Sequence, residues 1–404
     1  MRLELYGRVL RLPGVRPLMV VALLVRVPTT AAGVALTLHV VLDLGRGYGA
    51  AGLVGAAATI GSAVGGPLLG RLVDRRGLRW MLVITTSCEA LYWSVAPVLP
   101  YPALLVAAGL GGLLAIPAFS VIRQSIAALV PAEQRRQAYA IDSMSVEMSF
   151  MVGPTLAVLV VTQVSARAAM LSVGAATVLG GLALLALNPP VVTSEEVAEG
   201  STVTRRRDWL TPRLIGILAV AAATTCVLGG TDVTLIAVLR GAGEVRFAGL
   251  VLALWGAYSM VGGFVYGAAR RGLSPVALVI GLGLLTVPLG LVHNWLWLCL
   301  ALVPAGALCA PTLAATADEV SRLAPASARG EAMGWQGAAL TCGLAAGAPL
   351  AGAVIDAVGP SWGFAVVGAV GAAVGLGLLP AWSRRPARVV TDPAAIPGPV
   401  DVRD

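Results

Sequence analysis

The chain has 404 residues, 58% hydrophobic and only 12% charged, with mean hydropathy +0.87 and a formal charge of +8. An ordinary soluble domain is about a quarter charged, so the composition excludes a soluble enzyme, a disordered chain and a secreted disulfide scaffold. Its long apolar runs lack the strand alternation of a β-barrel porin.

A spanning helix needs about 20 mostly apolar residues. In chain order the sequence predicts spans at roughly 17–42, 48–70, 80–98, 103–123, 138–162, 168–187, 213–239, 247–269, 275–292, 295–317, 332–356 and 362–382. The stretch 80–122 holds one charge, Glu89, and turns between Pro97 and Pro102. The uncharged stretch 272–317 is too long for one helix and turns near His293-Asn294. The prediction is an all-α membrane protein with 12 transmembrane helices in two pseudo-symmetric six-helix halves, 1–188 and 213–383. The segment 189–212, with Glu195, Glu196, Glu199 and Arg205-Arg206-Arg207, reads as a linker between them. The tail 384–404, with Pro386, Pro393, Pro397 and Pro399, reads as disordered.

All 28 basic residues are Arg, scattered between apolar runs, so the positive charge is not a nucleic-acid signature. With the N-terminus inside, 23 fall in inner segments and four (Arg46, Arg167, Arg240 and Arg246) in outer ones, while Arg26 lies within a span. That asymmetry predicts cytoplasmic termini. Cys88, Cys226, Cys299, Cys309 and Cys342 lie in apolar runs without a CxxC pair and read as packing residues.

Shifting the chain by 194 lays Gly112 on Gly306, Pro117 on Pro311, Pro131 on Pro325, Arg135 on Arg329 and Gly153 on Gly347. At a shift of 195, Arg75-Arg76-Gly77-Leu78 falls on Arg270-Arg271-Gly272-Leu273. Six spans per half make the repeat parallel. Such repeats build secondary transporters, with the substrate path between the halves.

Between spans 2 and 3 lies Gly70-Arg71-Leu72-Val73-Asp74-Arg75-Arg76-Gly77-Leu78-Arg79. It resembles the signature loop of the major facilitator superfamily, with Leu78 at a usually basic position. The resemblance extends over the chain: twelve spans, two halves and a long inner linker. It implies an inner gate built on Gly70, Asp74, Arg75, Gly77 and Arg79, with Asp74 and Arg75 latching the halves. In the second half, Tyr266 to Gly272 places Ala269 where the Asp falls, which implies a one-sided latch. In span 5, Gly153-Pro154 matches part of the family's antiporter motif and implies export; generic close helix packing explains the pair equally. Span 4 lacks the Arg usual in family antiporters ahead of Gly109, Gly111 and Gly112. Arg123 sits at its inner end, and Arg26 is the substitute buried cation.

An ionisable residue at membrane depth is a functional candidate. Glu147, Glu89, Asp142 and Asp232 are the candidates for proton coupling together with Arg26, whose expected counter-ion is Glu89 or Glu147. A static ion pair is the competing reading. Trp255 and Trp335 are the interior aromatics expected to line a cavity. His39 and His293 lie near outer ends. With no P-loop, nucleophile elbow or metal-ligand cluster, the sequence points to no enzyme, metal or cofactor.

The expectation is a monomeric transporter in the bacterial inner (plasma) membrane, exporting a small lipophilic or weakly polar compound against protons. A proton-coupled importer or facilitator of the same fold is the alternative. A membrane sensor or assembly partner that no longer transports is the reading from another class.

Overall fold

The computed structural model describes residues 3–193, 206–269, 272–292 and 294–383. Outside them lie 194–205 of the linker with its glutamates, Arg270-Arg271, His293 and the tail 384–404. Among the described residues there are helices and no strands.

A short helix, α1 (Leu3–Arg11), precedes the spans. The first half continues with α2 (Val15–Leu42), α3 (Tyr48–Arg76), α4 (Leu78–Val95), α5 (Tyr101–Leu113), α6 (Ala118–Leu129), α7 (Arg135–Gln163) and α8 (Ala166–Leu187). After the four-residue α9 (Arg206–Trp209) come α10 (Pro212–Gly241), α11 (Ala248–Ala268), α12 (Pro275–Thr286), α13 (Trp295–Leu323), α14 (Arg329–Val358) and α15 (Ser361–Ser383). Prolines inside α2, α3, α7, α13, α14 and α15 persist because neighbouring helices and hydroxyls re-satisfy the freed carbonyls. Gly77, at φ 84°, is the only residue between α3 and α4. A side chain there would be strained, and the glycine lets one span turn straight into the next.

Among the described residues, eleven helical segments are long and apolar enough to cross a membrane. The remaining predicted span, Pro275–Leu291, is shorter. Its α-helix ends at Thr286 and continues as a 3₁₀ turn, Val287–Leu291. The two together rise about 28 Å, close to a hydrocarbon core of about 30 Å. Span 4 departs from expectation: it is two helices, α5 and α6, separated at 114–117.

The packing repeats. In the first half α2 lies against α7 and α8, α3 against α5, and α4 against α8. In the second half α10 lies against α14 and α15, α11 against α13, and α12 against α15. Across the middle, α3 meets α14 and α7 meets α11, which are again equivalent pairs.

Candidate functional site

The arginine-rich end of the bundle is closed by contacts between the halves. Helix α14 begins at Ala328-Arg329 with no capping side chain of its own. The cap comes from α3: Asp74 accepts from the Gly330 N–H (Oδ1, 2.8 Å) and the Glu331 N–H (Oδ2, 2.8 Å). A carboxylate at a helix N-terminus satisfies orphan donors and meets the positive end of the helix dipole. The approach requires glycine, because a Cβ on Gly70 would collide with the Gly330 carbonyl. Gln124 of α6 adds a donor to Asp74 at 3.4 Å.

The cation that reaches across is Arg71, not Arg75. Arg71 binds Glu331 with two prongs, Nε–Oε2 at 3.0 Å and Nη2–Oε1 at 2.9 Å. Arg75 and Arg79 are exposed. The reason is position along the helix: both arginines lie on nearly the same face, but Arg71 is one turn back and level with the α14 end, whereas Arg75 is at the free end of α3. Arg206 of α9 also pairs with Glu331, at 2.7 Å, and its guanidinium lies 5.3 Å from the Trp335 ring. Trp335 does not line either of the two cavities described below. It is in the second turn of α14, packed beside Trp209 and Leu323 at the arginine-rich end.

The equivalent place in the second half has no carboxylate. Ala269 contributes its backbone carbonyl, which accepts from Arg136 Nη2. Beside it α1 crosses from the first half: Tyr6 stacks on Phe264 (4.9 Å between centroids) and donates to the Phe264 carbonyl. Burial pushes the Tyr6 phenol up to about 12, which keeps it a donor.

Above this closure is a cavity of about 780 Å³ between the halves, lined among others by Arg123, Glu147, Phe150, Asp232, Trp255 and Leu344. Glu147 comes from α7 and Asp232 from α10, one carboxylate from each half. Trp255 is at the wall, as expected from the sequence. The Ser259 hydroxyl of α11 donates to Glu147 Oε1 at 2.8 Å and accepts from the Ala310 N–H of α13 at 3.1 Å. This chain crosses from one half to the other.

Arg26 is fully buried, and its counter-ion is Asp142 rather than Glu89 or Glu147. The ion pair is 2.6 Å (Nη2–Oδ1). Arg123 Nε binds the other oxygen of Asp142 at 3.1 Å, and Arg26 lies 5.0 Å from the Phe119 ring. Asp142 and Glu147 are five residues apart on α7, about 140° around the helix. Asp142 therefore faces α2 and α6 while Glu147 faces α11. Arg123 was legible only as an inner-end residue. Helix α6 extends to Leu129, which carries Arg123 inside the bundle.

Glu89 is buried at a second cavity of about 700 Å³, lined mostly by the first half and by Thr341 of α14. It accepts from the Trp93 indole at 2.6 Å. Gly153 lets α7 lie against α2, since a Cβ there would collide with Thr30 Oγ1 and the Val27 carbonyl. Thr30 also donates to the Ser149 carbonyl at 2.7 Å. Pro154 lines the central cavity. His39 pairs with Asp43 at 2.8 Å, far from both cavities' carboxylates in sequence and at the other end of α2 from Arg26.

The sequence profile of the Major Facilitator Superfamily matches residues 18–271 and 234–400. Among solved structures the chain is similar to a human organic anion transporter, MFSD10 (TETRAN), at 17% identity and TM-score 0.70, over 92% of this chain and 99% of that one. It is similar to a bacterial homologue of the iron transporter ferroportin in an outward-facing state, at 15% identity and TM-score 0.71, over 93% and 100%. It is also similar to the proton:xylose symporter XylE bound to 6-bromo-6-deoxy-D-glucose, at 16% identity and TM-score 0.67, over 92% and 96%. Likeness at these identities is likeness of fold. Among curated protein sequences the chain has no match.

Proposed function

The chain belongs to the major facilitator superfamily, and from that premise we propose that it is a proton-coupled exporter of a small lipophilic or weakly polar compound. The family and fold are those of secondary transporters. The observation that carries the finer reading is the cavity between the halves, apolar over most of its wall, with Glu147 and Asp232 facing it from opposite halves.

The arginine count supports a cytoplasmic location for the closed end, so we infer that the inner gate is shut in this state. The two rigid bodies are 1–188 and 213–383, joined by 189–212. Opening inward requires Asp74 to leave the N-terminus of α14 and Arg71 and Arg206 to leave Glu331. A proton arriving from outside on Glu147 removes the charge that the Ser259 hydroxyl serves, and charge-assisted bonds are roughly twice as strong as neutral ones. The bond across the halves weakens, and rocking follows. On the inner side the proton leaves and substrate enters the apolar cavity. A carboxylate that alternates between proton and substrate couples the two fluxes. The Gly153-Pro154 contact between α7 and α2 supports export through the family motif it matches. We place the protein as a monomer in a bacterial inner membrane with both termini in the cytoplasm.

The test uses inside-out vesicles, acidified inside by respiration and read with a pH-sensitive dye. Lipophilic drugs and metabolites are added one at a time. Substrate-evoked proton escape is expected with the protein, and neither without it nor with Glu147→Gln. A flat response together with proton-driven accumulation by whole cells makes the chain an importer and overturns the export reading.

A further inference from the structure

The two sides of the arginine-rich closure are related by the repeat, yet they are built from different residues. Where α3 meets α14, Asp74 caps the helix across the halves and Arg71 binds Glu331. Where α7 meets α11, the shift of 195 puts Ala269 in the place of Asp74 and Tyr266 in that of Arg71. The shift of 194 puts Arg136 in the place of Gly330 and Gln137 in that of Glu331. The acids and the cation of the first contact therefore have no counterparts in the second. The first contact also needs Gly330 bare, because a Cβ there would collide with Asp74 Oδ1 and the Gly70 carbonyl. Arg136, a long side chain at the equivalent place, reaches instead to the Ala269 carbonyl, with its guanidinium 6.0 Å from the Tyr266 ring.

Helix α1 fills this second contact. Only Leu12, Pro13 and Gly14 separate it from α2. Gly14 takes φ 82°, where a side chain would be strained, and the Val15 N–H closes on the Leu12 carbonyl at 3.2 Å. The tight turn folds α1 back onto the first half, where Val9 is fully buried in the cluster that holds Leu18, Ile126 and Tyr139. Glu4, Arg8 and Arg11 are exposed on the other face of α1. Tyr6 shares the buried face with Val9, three residues on, but its partners belong to the second half. Its ring lies on Phe264 of α11 at 15° and 4.9 Å between centroids, and its hydroxyl donates to the Phe264 carbonyl. The hydroxyl sits in a notch left by Gly267. A Cβ on Gly267 would collide with it and with the Cβ of Ala140 on α7. Tyr6 is thus wedged between α7 and α11, on a helix tied to one half and bonded to the other.

We propose that Tyr6 is a gating residue of the transport cycle: α1 is a second latch of the inner gate, standing at the α7–α11 contact where the repeat lacks the acid latch of the first. The proposal rests on the reading of the chain as an alternating-access transporter closed at its cytoplasmic end. Inward opening separates α7 from α11, so the ring stack and the hydrogen bond of Tyr6 break together. Asp74 and Tyr6 hold the same rigid-body equilibrium from two separate contacts, so the effects of losing them multiply.

The experiment measures how often the arginine-rich end opens. A cysteine replaces Ala338, which lines the central cavity, in the full chain on a background freed of native cysteines. Inside-out vesicles are treated with a membrane-impermeant maleimide, and the labelling rate follows the open population while that population is small. Tyr6→Phe keeps the ring stack and removes the hydrogen bond, and is expected to raise the rate about fivefold. Tyr6→Ala removes both and is expected to raise it about thirtyfold or more. Tyr6→Phe combined with Asp74→Asn is expected to show the product of the two single effects. If Tyr6 only packs α1 onto the bundle, both variants unfold at lower temperature in detergent while their labelling rates stay close to the parent's, and the proposal is overturned. Tyr6→Phe, which removes one oxygen atom, decides the matter where Tyr6→Ala lowers the yield of folded protein. A parent chain that is itself labelled at once from this face is not closed there. That result fails the reading on which the proposal rests, and the proposal falls with it.

Discussion

Asp74→Asn tests the closure most directly. The carboxylate gives one oxygen to each of two N–H groups at the start of α14. The amide offers one acceptor oxygen, so one of the two N–H groups loses its partner and faces an NH₂. A hydrogen bond to a charged group contributes about 1.5–3 kcal/mol, and the lost interaction of the charge with the helix dipole about 0.5–1 kcal/mol. Asn still caps a helix N-terminus well, which places the net loss at about 2–3 kcal/mol. That shifts the ratio of open to closed latch by about 30- to 150-fold. Ala338 is buried and lines the central cavity. A cysteine there, in inside-out vesicles on a cysteine-free background, reacts with an impermeant maleimide only when the arginine-rich end opens. The labelling rate follows the open population while that population is small, so the rate should rise by the same factor until it saturates. A rate within twofold of the parent would refute the capping argument, and a slower rate would reverse it.

Asp142→Asn leaves Arg26 and Arg123 buried without a carboxylate. Breaking a buried pair this way costs about 3–5 kcal/mol, so thermal unfolding in detergent should begin roughly 5 °C lower or more. Arg123→Met, which leaves Arg26 and Asp142 as a simple pair, should be milder. Gly153→Ala drives a Cβ into Thr30 and the Val27 carbonyl, an overpacking of about 1–3 kcal/mol. Vesicle transport should fall roughly tenfold, and a fully active Gly153→Ala would show that α7 and α2 separate freely. Trp255→Ala removes cavity wall and should weaken substrate binding about tenfold or more. Trp335→Ala, at the arginine-rich end, should leave affinity within twofold, and equal losses in the two variants would contradict their placement.

Much of the architecture was legible because it is linear. The length of an apolar run measures a span. The Gly112-Pro117 and Gly306-Pro311 frames exposed the repeat. Asp74 was legible as a gate residue only through the resemblance of its loop to the signature of a known family. The side on which each charge finds its partner was not legible. In a soluble helix a polar stripe marks the outside, but lipid is as apolar as a core. Little hydrophobic periodicity then separates the face of α7 that carries Asp142 from the face that carries Glu147. The sequence therefore paired Arg26 with Glu89 or Glu147, assigned the latch to Arg75 in place of Arg71, and put Trp335 in the cavity.

The break in span 4 shows the same division. Pro117 and Pro311 stand at matching places, so the sequence treats the two spans alike. Yet span 4 breaks at 114–117, while α13 runs on through Pro311 with the Ala310 N–H donated to the Ser259 hydroxyl that α11 brings to it. By itself the sequence determined that this is a membrane protein and how its helices are ordered, because those follow from local composition, while the repeat pointed to a transporter and the loop's family resemblance marked the gate. Only the tertiary structure decided the pairs Arg26–Asp142–Arg123 and Glu147–Ser259, because a buried charge is stabilised by whichever neighbour the packing of distant helices sets within hydrogen-bond reach.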